Sequence, residues 1–178
     1  AGLGYSDDVM IGGALRWHPW CHYPVGYSGF LAAAYAVFGA GPKVATIANA
    51  VVGAGLAGLV HQLGARALGP VRGRIAGVLV ALSPELVAYA ALLMTEPLAS
   101  LAPIAAALFP LALRDRRPLL SAALAGVCLG LGALVRPQTL LCVPGLFLIF
   151  ACPGRLRATA RSAALATVVA GASALAVV

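Results

Sequence analysis

The sequence predicts an all-α, polytopic transmembrane helix bundle with an exoplasmic juxtamembrane helical loop, and three observations carry that prediction. The 178 residues are 62% hydrophobic and only 10% charged, with a mean hydropathy of +0.98. About a quarter of an ordinary globular chain is charged, so this one cannot clothe a water-facing surface, and lipid must be its main solvent. The cations, finally, are clustered: Arg66, Arg72 and Arg74, then Arg114, Arg116 and Arg117, then Arg155, Arg157 and Arg161. Apolar stretches between the clusters are long enough for one or two crossings of a hydrocarbon core that takes about 20 helical residues. The net charge of +7 therefore reads as topology and not as a nucleic-acid footprint, because the arginines punctuate spans and form no continuous patch.

The elements follow in order, within one membrane-embedded domain over 1–178. Residues 1–25 are the least hydrophobic part, with Asp7, Asp8, Arg16, His18 and His22, and are expected as an exoplasmic loop with short helical pieces at the membrane surface. Trp17, Trp20 and Tyr23 suit the headgroup zone there. Residues 26–39 are apolar and helical in character, but 14 residues at 1.5 Å each reach only about 21 Å, so a juxtamembrane or re-entrant helix is expected. About six spans follow, at 44–65, 75–92, 95–113, 119–135, 138–153 and 162–178. Their connections at 66–74, 114–118 and 154–161 hold nine of the 12 cations and are cytoplasmic by the positive-inside rule. The opposite face then receives Asp7, Asp8, Lys43, the bend near Glu96 and the bend at Arg136-Pro137, with Glu85 inside the second span leaning toward it.

Small residues within the spans, among them Gly53, Gly55, Gly58, Gly126, Gly130 and Gly132, are expected to let helix backbones approach closely in lipid. Cys128, Cys142 and Cys152 sit in apolar runs where a thiol packs as a small hydrophobe, and no disulfide framework is expected. The chain starts at Ala1 with no basic segment before its first apolar run, which is expected of an internal piece of a longer protein.

Local motifs are less decisive than charge. Residues 51–58 (VVGAGLAG) satisfy G-x-G-x-x-G, but a dinucleotide turn needs a preceding strand and an acid about 20 residues on. Helical sequence precedes these glycines, and Arg72 and Arg74 stand where the acid is wanted. His18, Cys21 and His22 are metal-type ligands lying close in sequence without a clear fourth, unless Asp7 or Asp8 completes the set. Asp7-Asp8 either caps a helix or contributes acid–base chemistry. Glu96 and Arg136 are ionisable residues near span ends; they either snorkel or face a cavity.

The order of motifs carries a family resemblance. DDVMIGGALR (7–16) is followed by YPVGYSGFLAAAYAVFG (23–39), HQLGARALG (61–69), ALSPELVAYAALLMTEPL (81–98) and GLGALVRPQTLL (130–141). This order resembles the C-type integral-membrane glycosyltransferases, especially bacterial relatives of the protein O-mannosyltransferases and of the transferases that add sugars to lipid A. The resemblance covers nearly the whole chain. It implies an enzyme of the cell membrane that takes a sugar from a polyprenyl-phosphate donor and transfers it, with inversion, to a glycan, lipid or protein hydroxyl on the exoplasmic side. By position Asp7 and Asp8 match the family's acidic motif, Tyr23 and Tyr27 its Tyr-Pro-x-Gly-Tyr stretch, Thr95 and Glu96 its Thr-Glu pair, and Arg136 its Arg-Pro pair. A first span and the later spans are absent from the match, so an isolated chain of this length is expected to be inactive.

Chemistry of this kind needs a base for the acceptor hydroxyl and donors for the departing phosphate. Asp7, with Asp8 as alternate, is the expected base. Arg136 is the expected phosphate ligand, followed by His18 or His22, and Glu96 would orient the acceptor or anchor a cation. No cofactor is assigned with certainty, a divalent metal being possible in such a family. The rival class is a non-enzymatic transporter or flippase, with Glu85, Glu96 and Arg136 along a translocation path.

Overall fold

The computed structural model describes residues 6–11, 14–19, 24–113 and 117–145, and, further on, 164–165, 167–169, 171–173 and 175. Two short strands come first, β1 (Ser6–Ile11) and β2 (Ala14–Pro19), paired antiparallel. Six α-helices follow: α1 (Val25–Phe38), α2 (Pro42–Leu68), α3 (Pro70–Ala81), α4 (Pro84–Ala91), α5 (Glu96–Leu113) and α6 (Pro118–Val135). A 3-10 helix over Pro137–Cys142 follows, and further helical residues lie at 143–145, 164–165, 167–169, 171–173 and 175. The all-α polytopic bundle expected from composition is therefore what the chain forms from α1 onward. The short helical pieces expected within 1–25 are replaced by the hairpin. Its strands are separated in sequence by Gly12-Gly13, a dipeptide that favours tight two-residue hairpins.

Proline sets the helix boundaries. Pro42, Pro70, Pro84, Pro118 and Pro137 each open a helix, where a missing N–H costs nothing, and none of the residues capping them supplies a side-chain hydrogen bond. Proline also drives the residue before it out of the α region. Ser83 (ψ 116°) and Arg136 (φ −147°, ψ 114°) are accordingly extended, ending one helix and starting the next. At the other ends, Gly39 (φ 86°, ψ 151°) and Gly69 (φ 100°, ψ 162°) occupy backbone space essentially reserved for glycine. Their N–H groups close the final turns onto the carbonyls of Tyr35 (2.9 Å) and Ala65 (3.2 Å).

Among the described residues, α2, α5 and α6 are each long and apolar enough to cross a membrane. The span expected at 75–92 is instead broken into α3 and α4, bent by 45° at Leu82-Ser83-Pro84. At 14 residues, α1 covers nearly the range 26–39 expected as a short helix and is shorter than the described spans. The expected span at 138–153 opens as the 3-10 turn, and its residues 146–153 lie outside the described ones, as does part of 162–178. Exposed Ile47, Val51, Val78, Leu79, Val87 and Leu131 form the kind of apolar exterior that lipid, not water, accommodates.

Inside the bundle the contacts are small. Helices α2 and α3 run antiparallel, and a Cβ added to Gly73 would lie 2.4 Å from the Ala65 nitrogen and 2.7 Å from the His61 carbonyl oxygen. A Cβ on Gly77, one turn on, would lie 2.8 Å from the His61 Cβ. Helices α5 and α6 form a second antiparallel pair around Ala106, Ala122, Ala125 and Leu129, with Gly132 against Ala102. The packing role expected of Gly132 is met, and Gly126 and Gly130 are buried on the same helix. Gly53, Gly55 and Gly58 face nothing within 4 Å, so that expectation is corrected: the close seam uses Gly64, Gly73 and Gly77 instead. Helical glycine spacing alone does not say which face meets a neighbour.

This seam makes a direct prediction. Gly73→Leu should force α2 and α3 apart and destabilise the protein by about 1–3 kcal/mol or more. Gly55→Leu should leave the thermal midpoint in detergent unchanged or raised, since it fills open space and removes a helix-interior glycine.

Candidate functional site

The turn between α4 and α5 and the end of α6 meet at one end of the bundle. Each contributes a residue that stands at a helix end beside a proline. Pro137 excludes the helical conformation at Arg136, so α6 stops at Val135 and the Arg136 backbone turns out extended. Glu96, followed by Pro97, is the first residue of α5. Leu93 (φ 56°) is the sole described non-glycine residue with positive φ, and it lets the chain reverse between α4 and Thr95.

These two breaks bring together residues that are 40 apart in sequence. Arg136 Nη2 donates to Glu96 Oε1 at 2.5 Å, and Arg136 Nε donates to Thr95 Oγ1 at 2.9 Å. The side chains stay 40% (Arg136) and 29% (Glu96) exposed, so the pair is accessible and is not sealed in the core. A guanidinium has five N–H donors in a planar fork. Two are used among the described residues, which leaves three for a ligand.

The Arg136 backbone is held as firmly. Its N–H donates to the Gly132 carbonyl at 2.8 Å. Its own carbonyl accepts from the Thr139 N–H at 3.0 Å and from Thr139 Oγ1 at 2.9 Å. Thr139 is buried, also reaches the Leu129 carbonyl at 3.3 Å, and packs where Gly132 lacks a side chain. Helix α1 completes this end: a Cβ on Gly26 would lie 2.6 Å from the Leu134 carbonyl, so the start of α1 sits directly on the last turn of α6.

The sequence candidates divide as follows. Glu96 and Arg136 are brought into contact, with Thr95 as the third member. Tyr27, the first turn of α1, is bound elsewhere: its hydroxyl accepts from Asn49 Nδ2 at 2.9 Å, tying α1 to α2. Burial pushes the Tyr27 phenol above its ordinary range, and the Asn49 hydrogen bond opposes that shift. In the hairpin ladder Asp7 stands opposite His18 and Asp8 opposite Trp17, while the side chains of these residues fall outside the described ones. His22 and Tyr23 lie outside the described residues altogether, as does Cys21 of the metal-type cluster. Among the described residues no group of three His, Cys, Asp or Glu side chains forms a metal site.

Three residues escaped the sequence reading. Thr139 could have been noticed as a hydroxyl just after the Arg-Pro break, where helix-end carbonyls need donors. Asn49, fully buried in α2, is a polar residue within an apolar run. Tyr89 donates to Glu85 Oε1 at 2.8 Å, an i,i+4 pair on α4.

A family model described as dolichyl-phosphate-mannose-protein mannosyltransferase matches residues 22–178. No curated protein and no solved structure matches the chain.

The geometry predicts that Glu96 and Arg136 are energetically coupled. In a double-mutant cycle of Glu96→Gln and Arg136→Gln, measured by unfolding in detergent, the coupling should be favourable and about 1 kcal/mol. Thr139→Val should cost a further similar amount, because two backbone carbonyls lose a hydroxyl donor.

Proposed function

The chain belongs to the dolichyl-phosphate-mannose-protein mannosyltransferase family, a family of glycosyltransferases, and from that premise we propose that it transfers a sugar from a polyprenyl-phosphate donor to an acceptor hydroxyl on the exoplasmic face. The observation that carries the proposal is Arg136, a guanidinium fixed by Glu96 and Thr95 at one end of the bundle with three N–H donors unused among the described residues. Such a fork matches the oxygens of a phosphate ester.

In the proposed step the acceptor hydroxyl oxygen attacks the anomeric carbon of the sugar. Its proton passes to the Asp7 carboxylate, or to that of Asp8. The bond from the anomeric carbon to the phosphate oxygen breaks, and the electron pair leaves with the polyprenyl phosphate. Arg136 stabilises the charge that builds on those oxygens, which a low-dielectric site makes more effective than water would. Attack opposite the leaving group inverts the anomeric centre. Glu96 keeps the guanidinium aimed, and His18, His22 and Tyr23 serve as further donors to the substrate.

Connectivity supports placing the acids near Arg136. Residues 20–23 alone separate β2 from Pro24, and α1 starts against the end of α6. At no more than about 3.6 Å per residue, that tether keeps the hairpin's end within about 18 Å of Pro24. The apolar groove of about 580 Å³ between α1 and α2, lined by Phe30, Phe38, Val44, Ile47 and Val51, suits the donor's hydrocarbon tail. The broken span α3–α4 lends some support to a second reading, a flippase for a lipid-linked solute, because discontinuous helices line many transport paths.

One experiment separates them. The full-length protein in proteoliposomes should transfer mannose from polyprenyl-phosphate mannose to an acceptor, and Asp7→Asn or Arg136→Gln should each reduce transfer at least about 100-fold with the fold intact. Arg136→Lys should keep a small part of the activity, since a point charge replaces the fork. Undiminished transfer by Asp7→Asn would refute the assignment of the base, and transbilayer movement without any transfer would favour the flippase. A cysteine beside Asp8 should react with a membrane-impermeant reagent in intact cells.

A further inference from the structure

Glu85 has no role in the mechanism above, yet its position asks for one. It is a carboxylate in a broken membrane span, exposed on α4, with no cation paired to it among the described residues. Ionisable groups within spans are costly and face a cavity, a partner or a ligand. Glu85 instead holds a phenol: Tyr89 donates to its Oε1 at 2.8 Å. A carboxylate offers about four lone-pair positions, so most remain open to other donors.

The pair is also tied to the Arg136 site. The Met94 N–H donates to the Tyr89 carbonyl at 3.0 Å, which fixes the Tyr89 backbone to the turn that delivers Thr95 and Glu96. Helix α4 therefore carries a carboxylate at its broken N-terminal end and, one turn on, a phenol whose backbone is joined to the turn that delivers Thr95 and Glu96.

In a sugar phosphate the hydroxyl-bearing ring is joined directly to the phosphate. Groups that read the ring's hydroxyls must lie beside the group that reads the phosphate, and carboxylate and phenol are side chains suited to sugar hydroxyls. We infer that Glu85 and Tyr89 form the subsite for the hydroxyls of the donor's sugar, adjacent to the phosphate held by Arg136; this rests on the proposed donor. Glu85 accepts from two neighbouring sugar hydroxyls, and Tyr89 both orients the carboxylate and accepts from a third.

Binding of two probes to the purified full-length protein tests this: polyprenyl-phosphate mannose, and polyprenyl phosphate without a sugar. Glu85→Ala and Tyr89→Phe should each weaken the mannose-bearing probe about tenfold while leaving the sugar-free probe within about twofold. Arg136→Gln should weaken both probes alike. Tyr89→Phe removes one oxygen, so an unchanged thermal midpoint is expected and binding can be compared directly. Equal losses on the two probes, or no loss on either, would overturn the sugar subsite and leave the donor reading standing. Failure of the unaltered protein to bind either probe would overturn both.

Discussion

The contact between Arg136 and Glu96 is the constraint on which this end of the molecule depends. Each residue alone would be an ionised group near hydrocarbon, a state that is costly unless a partner or a cavity compensates it. Together they neutralise one another, join the start of α5 to the end of α6, and leave most of a guanidinium fork directed away from the brace. The interaction works because both residues stand at helix ends, Glu96 opening α5 and Arg136 following α6. A helix running through either position would have carried the side chain around its own axis; the breaks hold both at one end of the antiparallel pair.

The rest of the bundle is organised so that this brace can form. Lipid supplies no hydrophobic drive between helices, so they are held by close contact of small residues. The α2–α3 seam at Gly64, Gly73 and Gly77 and the α5–α6 seam at Ala102, Ala106 and Gly132 bring backbones near enough for dispersion to matter. Bulky aliphatic side chains point outward, the reverse of a water-soluble domain. Polar groups are kept for junctions: Asn49 with Tyr27 joins α1 to α2, and Thr139 closes the carbonyls at the end of α6. Both lie close to the helix ends where the site is assembled.

Much of this was legible because its causes are local. Lipid as solvent follows from counting charges, and α2, α5 and α6 fall close to the expected ranges since apolar runs bounded by proline leave little choice. Glu96 and Arg136 stood out as ionisable residues at span ends. What failed was face and register. Gly53, Gly55 and Gly58 look like packing glycines by spacing, yet they point into open space, because the side of α2 that meets α3 is set by where α3 docks. The hairpin is not evident from its polar residues, which suit a surface loop equally, and Gly12-Gly13 between two short runs is the one local signal for it. The 45° break at Ser83-Pro84 falls inside the single span expected at 75–92, because hydropathy reports an apolar run and not its angle.

By itself, the sequence determined the solvent, the number of charges that could do chemistry, and the prolines at which helices open, although α5 runs on through Pro103 and Pro110. These depend on composition and on covalent geometry within a residue or two. The tertiary structure alone decided that Arg136 meets Glu96 and Thr95 across some 40 residues of chain, and that Tyr89 backs onto the same turn. Such pairings depend on the hand and tilt with which antiparallel helices pack, a property of two surfaces at once that no single segment encodes.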